Sequence, residues 1–359
     1  MKTIWVSTKP SERTYPVEIV SDGFSRVSRM ISRNWQASSV FIVTDANVKK
    51  LYGRRLLCGL LLRNIDAWLI DFPAGERSKN SDVVNILHSA LLEHGVRRNS
   101  VVVALGGGVV GDVAGYVAAT VLRGIKYIQI PTTLLAQVDS SVGGKVGIDH
   151  PLGKNLIGAF HQPSAVYIDP LFLQTLPERE YTAGLAEVVK IAAGLDASFF
   201  RFLEKNAAQI RQRNVKTLTG LIEHSVRLKA AVVEKDEFET GLRKTLNLGH
   251  TIGHAFEAAS NYRLRHGEAV AIGLVAESRI ARDMGILSTK EFARLLHLMH
   301  ALSLRMSLPR LKNMKGFLSA LSLDKKTIGH STKFVLLERI GCTALGVDVP
   351  ASSIERAFS

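Results

Sequence analysis

Cysteine is scarce in this chain of 359 residues, where only Cys58 and Cys342 occur. Two cysteines cannot form a disulfide framework, so the composition favours a reducing compartment. Residues 1–20 lack the apolar segment and the small-residue cleavage site of a signal peptide. The most apolar stretch, residues 101–122, is interrupted by Asp112 and by glycines, which indicates a core strand and a loop rather than a membrane span. We therefore expect a cytoplasmic protein with no membrane partner.

Acidic residues are also few relative to basic ones, and 46 Lys and Arg against 32 Asp and Glu give a formal charge of +14. The sequence contains no run of five or more basic residues and no basic tract interleaved with aromatic residues. Nucleic-acid binding requires basic residues gathered on one face, so we expect no nucleic-acid partner. Scattered, solvated basic side chains would explain the charge, and so would a highly anionic small substrate attracted by the field of the protein.

The first half of the chain alternates short β-branched runs with helical stretches. Parallel strands are predicted at residues 40–44, 67–72, 100–105 and 126–131, and helices at residues 51–64 and 81–95. From about Leu173 onward helical spacing dominates, and the next strand signal is at residues 333–338. We predict an α/β N-terminal domain with a parallel sheet, residues 1–172, and an all-α C-terminal domain, residues 173–359.

A glycine-rich loop follows the third of these strands. Gly106, Gly108 and Gly111 satisfy G-x-G-x-x-G between a strand and a helix, where the backbone can approach a pyrophosphate. A tight structural turn would also explain the glycines, and no acidic residue lies about twenty positions later to hold a ribose. If NAD binds here, its ribose contacts must come from the segments that follow the first two strands, where the candidates are Asp45, Asn47, Glu76 and Lys79.

Residues 131–163 form a long polar segment. A structureless loop of this length is unusual in a compact domain, and long ordered loops tend to carry function. Its acidic and basic side chains predict a site for hydroxyl groups and an anion, although a turn-rich surface segment is the alternative. The candidates are Thr132, Thr133, Asp139, Ser140, Lys145, Lys154 and Asn155.

A polar stripe is predicted around residues 243–254. Arg243, Asn247, His250 and His254 fall on one face if this region is a single helix. Burying four such side chains is costly without partners, so the stripe favours a site over satisfied core histidines. Glycines at positions 249 and 253 would allow another backbone to pack closely.

The residues also suggest a metal site. Glu187 and Lys190 share a helical face, although a surface ion pair would give the same spacing. One carboxylate and two histidines form a common catalytic zinc set, which Glu187 completes with two of His250, His254 and His266. Spacing alone does not choose the histidines. The protease motif H-E-x-x-H is absent, because Thr251 occupies the position of its glutamate.

Several blocks of the sequence resemble the 3-dehydroquinate synthase family of sugar phosphate cyclases. They are GGGVVGDVAGYVAA, LRGIKYIQIPTTLLAQVDSSVGGKVGIDHPLGKNLIGAFHQP, GLAEVVK, GLRKTLNLGHTIGHAFE and HGEAVAIG. The resemblance implies an NAD-binding α/β domain, a helical domain that binds zinc or cobalt, and a homodimer. It also implies that Glu187, His250 and His266 are the metal ligands.

The resemblance assigns the remaining site residues as well. The implied NAD-contacting positions are Asp45, Asn47, Glu76, Lys79, Gly107, Gly108, Val109, Asp112, Thr132, Thr133, Leu135, Asp139, Ser140, Lys145, Lys154, Asn155, Phe172, Thr175, Leu176 and Glu180. Lys229 and Arg243 would hold a substrate carboxylate, and Asp139 and Lys190 its ring hydroxyls. The implied phosphate-holding residues are Lys145, Asn155, Asn247 and His254, with Arg123 from the partner subunit and either Lys325 or Lys326.

The implied reaction converts 3-deoxy-D-arabino-heptulosonate 7-phosphate to 3-dehydroquinate and phosphate. It proceeds by transient oxidation with NAD, phosphate elimination, re-reduction and an intramolecular aldol closure, a lyase step of the shikimate pathway. Two alternatives stay open: another sugar phosphate cyclase, and a metal-dependent NAD alcohol dehydrogenase of the glycerol dehydrogenase kind.

Overall fold

The computed structural model describes residues 14–20, 24–34, 37–260, 264–307, 317, 321, 327–328 and 331–358. In the first half the elements are β1 (Val17–Ile19), α1 (Phe24–Asn34), β2 (Val40–Asp45), α2 (Ala46–Val48), α3 (Arg54–Leu61), β3 (Ala67–Phe72), α4 (Ser81–Glu93), β4 (Val101–Gly106), α5 (Gly108–Thr120), β5 (Lys126–Pro131), β6 (Lys145–His150), β7 (Gly153–Phe160) and β8 (Ala165–Ile168). In the second half they are α6 (Glu178–Leu195), α7 (Ala197–Arg211), α8 (Val215–Lys235), α9 (His250–Ala259), α10 (His266–Asp283), α11 (Thr289–Ala301), β9 (Thr327–Ile328), β10 (Ser331–Arg339), β11 (Cys342–Asp348) and α12 (Ala351–Phe358).

The first half is built on a six-stranded sheet in the order β1-β8-β5-β4-β2-β3. Every pairing in this sheet is parallel, as the βαβ alternation predicts. The predicted strands correspond to β2, β3, β4 and β5. Because the strands are parallel, the segments after β2, β3, β4, β5 and β8 all leave from the same edge, where α/β proteins bind ligands.

Two apolar layers bury this sheet, and alternate residues of β4 enter opposite layers. Val102 and Ala104 pack with the side of the sheet covered by α4 and α5, whereas Val101 and Val103 pack with the side covered by α1 and α3. Such two-sided burial explains why the strand reads as a continuous apolar run. The polar segment 131–163 contains the antiparallel hairpin β6–β7.

In the second half, helices α7, α8, α10 and α11 pack around α6, which is buried over most of its length, and α9 packs on α10. The helical character predicted for residues 173–359 is confirmed, but the description all-α is incomplete, because β9, β10 and β11 form a three-stranded sheet. The strand signal at 333–338 lies within β10, and β11 pairs antiparallel with it. The proposed boundary between residues 172 and 173 stays a prediction.

The single helix predicted through Arg243 and His254 is wrong. Arg243 and Asn247 lie in a short 3-10 helix, Leu242–Asn247, and α9 begins only at His250. The break has a local cause, because Leu248 is extended with a ψ of 127° and Gly249 adopts a φ of 79°. Within the described residues, no helix is long and apolar enough to cross a membrane.

Candidate active site

The carboxyl edge of the parallel sheet gathers most of the predicted cofactor contacts. Asp45 and Asn47 follow β2, Glu76 and Lys79 follow β3, and the glycine-rich loop connects β4 to α5. Gly107 occupies the N-cap position of α5 and has no side chain to accept the first N–H groups of that helix. An anionic pyrophosphate can bind these groups, so this edge fits a dinucleotide.

A buried ion pair lies beside this loop. Lys79 is 5% exposed, and its Nζ lies 2.6 Å from Oδ2 of Asp112 in the first turn and a half of α5. The same Nζ donates to Oδ1 of Asn155, whose φ of 54° is in the left-handed region. The backbone N–H of Asn155 in turn donates to Oδ1 of Asp149 at 2.9 Å. These contacts connect the hairpin β6–β7 to the carboxyl edge of the sheet, the cofactor edge.

Close helix packing brings α6, α9 and α10 together at the second half of the site. A Cβ atom at Gly267 would lie 1.9 Å from the carbonyl oxygen of Ala183 in α6. A Cβ atom at Gly273 would lie 1.8 Å from the carbonyl oxygen of Gly249, the residue before α9. Because only glycine permits these distances, the first residue of α10, His266, is held against both neighbours.

Glu187, His250 and His266 converge from these three helices, and one ligand atom from each lies within 4.8 Å of the others. His266 Nε2 is 3.0 Å from Glu187 Oε1, and His250 Nε2 is 3.8 Å from the same oxygen. Glu187 is fully buried; its Oε2 pairs with Lys190, and its Oε1 faces the two imidazoles. One carboxylate and two imidazoles that converge in this way fit a divalent zinc-type ion.

Protonation equilibria in this group also fit a cation. Burial raises the pKa of Glu187, but Lys190 and the two histidines hold it well below its usual range. Burial lowers the pKa of His250 well below its ordinary value. Burial alone would lower the pKa of His266 too, but hydrogen bonds to Glu187 and Glu257 raise it to about 10. An ion would replace the proton that His266 Nε2 shares with Glu187, since metal ligands bind in their deprotonated forms.

Charged groups continue from the carboxylate of Glu187 in a line. Lys190 Nζ pairs with Glu187 Oε2 and lies 4.0 Å from Asp139 Oδ2. Lys229 Nζ, from α8, lies 2.6 Å from Asp139 Oδ1 and donates to the carbonyl oxygen of the same residue. Burial raises the pKa of Asp139, but Lys229 and Lys190 lower it to about 2. The surface-pair explanation for Glu187 and Lys190 is therefore wrong, because both side chains are at most 2% exposed.

Arg243 extends the line beyond Lys229. Its Nη2 donates to the carbonyl oxygen of Gly143 at 3.1 Å, and its Nη1 donates to that of Glu237. A guanidinium has five N–H donors, so others are left for a ligand. Burial lowers the pKa of Lys229, and the positive charge of Arg243 lowers it further. The two cationic side chains are therefore close to each other, at one end of the site.

A second cluster contains Glu239, a residue that the sequence did not indicate. Its carboxylate accepts from Lys145 Nζ and, at 2.5 Å, from Asn247 Nδ2. Glu239 has a φ of 61°, a strained value for a residue with a side chain. Lys145 and Asn247, which the resemblance assigns to phosphate, thus converge on a carboxylate and form an anion-binding pair.

Glu257 is the other residue that sequence reasoning missed. It lies in α9, is 2% exposed, and its Oε2 is 3.4 Å from His266 Nδ1 and 4.0 Å from His254 Nε2. Lys154 Nζ lies 3.2 Å from Glu257 and 3.2 Å from Glu76, and so connects this end of the site to the cofactor edge. The spacing of His250, His254 and Glu257 on one face of α9 was the available signal.

The structure does not bring every predicted residue into this arrangement. Arg123 is exposed and follows the C-terminal end of α5, about 20 Å from the glycine-rich N-terminus of that helix, at 1.5 Å per residue. Lys325 and Lys326 lie outside the described residues. The more peripheral cofactor candidates lie between β8 and the first turn of α6, and are Phe172, Thr175, Leu176 and Glu180.

Comparison with known proteins matches the chain to two adjoining family models. The model for the 3-dehydroquinate synthase N-terminal region matches residues 69–183, and the model for its C-terminal region matches residues 184–327. The 3-dehydroquinate synthase of Desulforamulus reducens is 45% identical over 348 residues, which cover 97% of each chain.

Two solved structures share the whole fold. ValA, the 2-epi-5-epi-valiolone synthase of Streptomyces hygroscopicus subsp. jinggangensis 5008, was solved with NAD+ and Zn2+; it has a TM-score of 0.90 at 30% identity and 98% coverage of both chains. A 2-deoxy-scyllo-inosose synthase was solved with carbaglucose-6-phosphate, NAD+ and Co2+; it has a TM-score of 0.88 at 25% identity and 97% coverage of both chains.

Proposed function

The chain belongs to the 3-dehydroquinate synthase family, and we propose that it acts as a cytoplasmic enzyme of the shikimate pathway on the site described above. Its function is to convert 3-deoxy-D-arabino-heptulosonate 7-phosphate to 3-dehydroquinate and phosphate. The reaction class is that of a carbon–oxygen lyase acting on a phosphate. The observation that carries this function is the line of charged side chains from Glu187 to Arg243. It joins the metal-type trio, Glu187, His250 and His266, to the two cations Lys229 and Arg243, which can bind a carboxylate.

The residues divide between two bound groups. Glu187, His250 and His266 would hold zinc or cobalt, and the carboxyl edge of the sheet with the N-terminus of α5 would hold NAD. When bound, the ion polarises substrate hydroxyls and the dinucleotide accepts and later returns a hydride. Relatives of the same fold were solved with NAD+ and with Zn2+ or Co2+, which supports both assignments.

The substrate carries an anionic group at each end, and the site has cations for both. Lys229 and Arg243 are suited to the carboxylate, because a guanidinium and an ammonium side by side form charge-assisted hydrogen bonds to it. Lys145 and Asn247, with His254 nearby, are suited to the phosphate, and they already converge on a carboxylate. Holding one flexible molecule at both ends selects a single pose and so lowers the entropic part of the barrier.

Asp139 and Lys190 lie between these ends and face the ring hydroxyls in this proposal. With its pKa of about 2, Asp139 is ionised and accepts a hydrogen bond from a hydroxyl, but it is a weak base. Burial lowers the pKa of Lys190 but Glu187 and Asp139 raise it, so it stays a proton donor. We therefore assign the proton removed during elimination to an oxygen of the departing phosphate, and the two side chains to holding the ring.

A homodimer completes the proposal. Arg123 is exposed beyond the end of α5 that is opposite the glycine-rich loop, a position that suits a side chain acting in the partner subunit. The hairpin β6–β7 exposes apolar side chains that suit an interface, namely Leu152, Leu156, Ile157 and Phe160.

Other sugar phosphate cyclases are the main alternative, because NAD and a metal are common to them. The carboxylate of the substrate separates the two functions, so the test compares the heptulosonate phosphate with glucose 6-phosphate at catalytic NAD and saturating Zn2+ or Co2+. We expect phosphate release and 3-dehydroquinate from the first substrate only. Phosphate release from glucose 6-phosphate alone would refute the proposal.

A further inference from the structure

The carboxylate of Glu257 is buried behind the metal-type trio. It is 2% exposed in α9, and its Oε2 lies 3.4 Å from Nδ1 of His266. The other nitrogen of this imidazole, Nε2, lies 3.0 Å from Glu187 Oε1. The imidazole is therefore placed between two carboxylates, one on each nitrogen, and only one of the two belongs to the ligand set.

The two nitrogens differ once an ion is bound, because a histidine that binds a metal is neutral and carries one hydrogen. An ionised carboxylate only accepts hydrogen bonds, so Nδ1 carries the hydrogen that points at Glu257. The lone pair is then on Nε2, where the ion would bind between this nitrogen and Glu187. Histidines that bind metals are commonly oriented in this way by a carboxylate on the far nitrogen.

We propose that Glu257 is a positioning residue for the metal: by accepting the Nδ1–H of His266 it fixes the tautomer and the rotation of the ring, and so presents Nε2 to the ion. The inference rests on the metal site of the proposed function.

Lys154 gives Glu257 a second constraint. Its Nζ lies 3.2 Å from Oε1, so each oxygen of the carboxylate has a partner of its own. A buried carboxylate held from both sides cannot rotate away from the histidine without leaving a charge unpaired, which is costly. A second candidate set, of His254, Glu257 and His266, shares His266 with the first, but its His254 side chain is 43% exposed whereas that of His250 is 10% exposed.

The test measures metal binding rather than turnover. Metal-stripped wild type, Glu257→Gln and Leu298→Ala are titrated with Co2+ against a competing chelator, the visible spectrum of each Co2+ form is recorded, and urea midpoints are measured. Leu298 is a core residue of α11 outside the site, so its truncation lowers stability without touching the trio. Glutamine keeps the size of Glu257 and removes its charge.

We expect Glu257→Gln to weaken Co2+ binding by about 10- to 100-fold and to alter the visible spectrum, as loss of an outer carboxylate does. Leu298→Ala should lower the urea midpoint and leave the dissociation constant unchanged. An unchanged constant and spectrum in Glu257→Gln would overturn the proposal, as would equal weakening in Leu298→Ala. If the wild type failed to bind Co2+, the metal site itself would be wrong; a wild type that binds Co2+ but does not turn over the heptulosonate phosphate would refute only the function.

Discussion

The division of labour between His250 and His254 can be tested by removing each side chain in turn. The two rings are only 5.2 Å apart, yet their surroundings differ. The side chain of His250 is 10% exposed and faces Glu187, whereas that of His254 is 43% exposed and lies beside Glu257 at 4.0 Å. We predict that His250→Ala loses the metal, whereas His254→Ala keeps the metal and loses turnover.

The size of the effect follows from the number of ligands. Four-ligand zinc sites bind with about 10–16 kcal/mol, so each ligand contributes about 3 kcal/mol. At about 1.4 kcal/mol per tenfold, removing His250 should weaken zinc binding by roughly 100-fold. His254 contributes no ligand in this arrangement, so zinc binding in His254→Ala should match the wild type.

Zinc content after dialysis and a chelator titration measure both variants, with His224→Ala, on α8 outside the site, as the control for loss of an imidazole. The outcome is decisive because two ligand sets overlap at His266. If the ion occupied the set of His254, Glu257 and His266 instead, His254→Ala would lose zinc and His250→Ala would retain it. That reversal would refute the assignment.

Three further predictions concern the substrate, pH and the dimer. Replacing Arg243 by Met should raise the KM for the heptulosonate phosphate by about 10- to 100-fold, since a hydrogen bond to a charged group contributes about 1.5–3 kcal/mol; an unchanged KM in steady-state phosphate release would exclude its role with the carboxylate. Burial raises the pKa of Glu257, but the hydrogen bond from His266 and the nearby cations lower it from 4.5 to about 2. The ionised carboxylate therefore contributes at most about 3 kcal/mol to the free energy of unfolding. This contribution is present above pH 4.5 and is lost as the pH falls towards 2. Urea unfolding of the metal-free protein should therefore show a smaller loss between these pH values in Glu257→Gln, and identical slopes would contradict the pairing. Mixing inactive Arg123→Ala with inactive His250→Ala should restore activity at about a quarter of the sites, because half of randomly formed dimers are hybrids with one intact site each; no recovery would exclude a contribution across the interface.

The sequence predicted four of the six strands of the sheet, and three of these, β2, β4 and β5, are almost completely buried. The expected bounds at residues 67–72 and 126–131 are those of β3 and β5, because aromatic and β-branched residues mark both segments although Asp71 and Gln129 interrupt them. The edge strand β1 and its neighbour β8 were not predicted, because they contain only three and four residues. The hairpin strand β11 was also missed, since its alternation in CTALGVD is weak.

The candidate site was predicted less completely, because several contacts depend on backbone turns. A single helix through Arg243 and His254 would place both on one face; the turn at Gly249 separates them, and tertiary packing still brings them into one site. Glu239 could not be singled out, since it lies among other acidic residues with no distinctive spacing, whereas Glu257 shares a helical face with His250 and His254 and was overlooked. Their roles become visible only through the side chains that converge on them.

The stoichiometry of NAD separates a synthase from a dehydrogenase. Purified protein with saturating zinc, excess heptulosonate phosphate and NAD at a small fraction of the substrate concentration is followed for phosphate, 3-dehydroquinate and NADH together. A synthase that oxidises and re-reduces one bound substrate should release many equivalents of phosphate and 3-dehydroquinate per NAD, with no accumulation of NADH. Accumulation of NADH in proportion to the substrate consumed, or phosphate release limited to one equivalent per NAD, would contradict the account and favour a dehydrogenase.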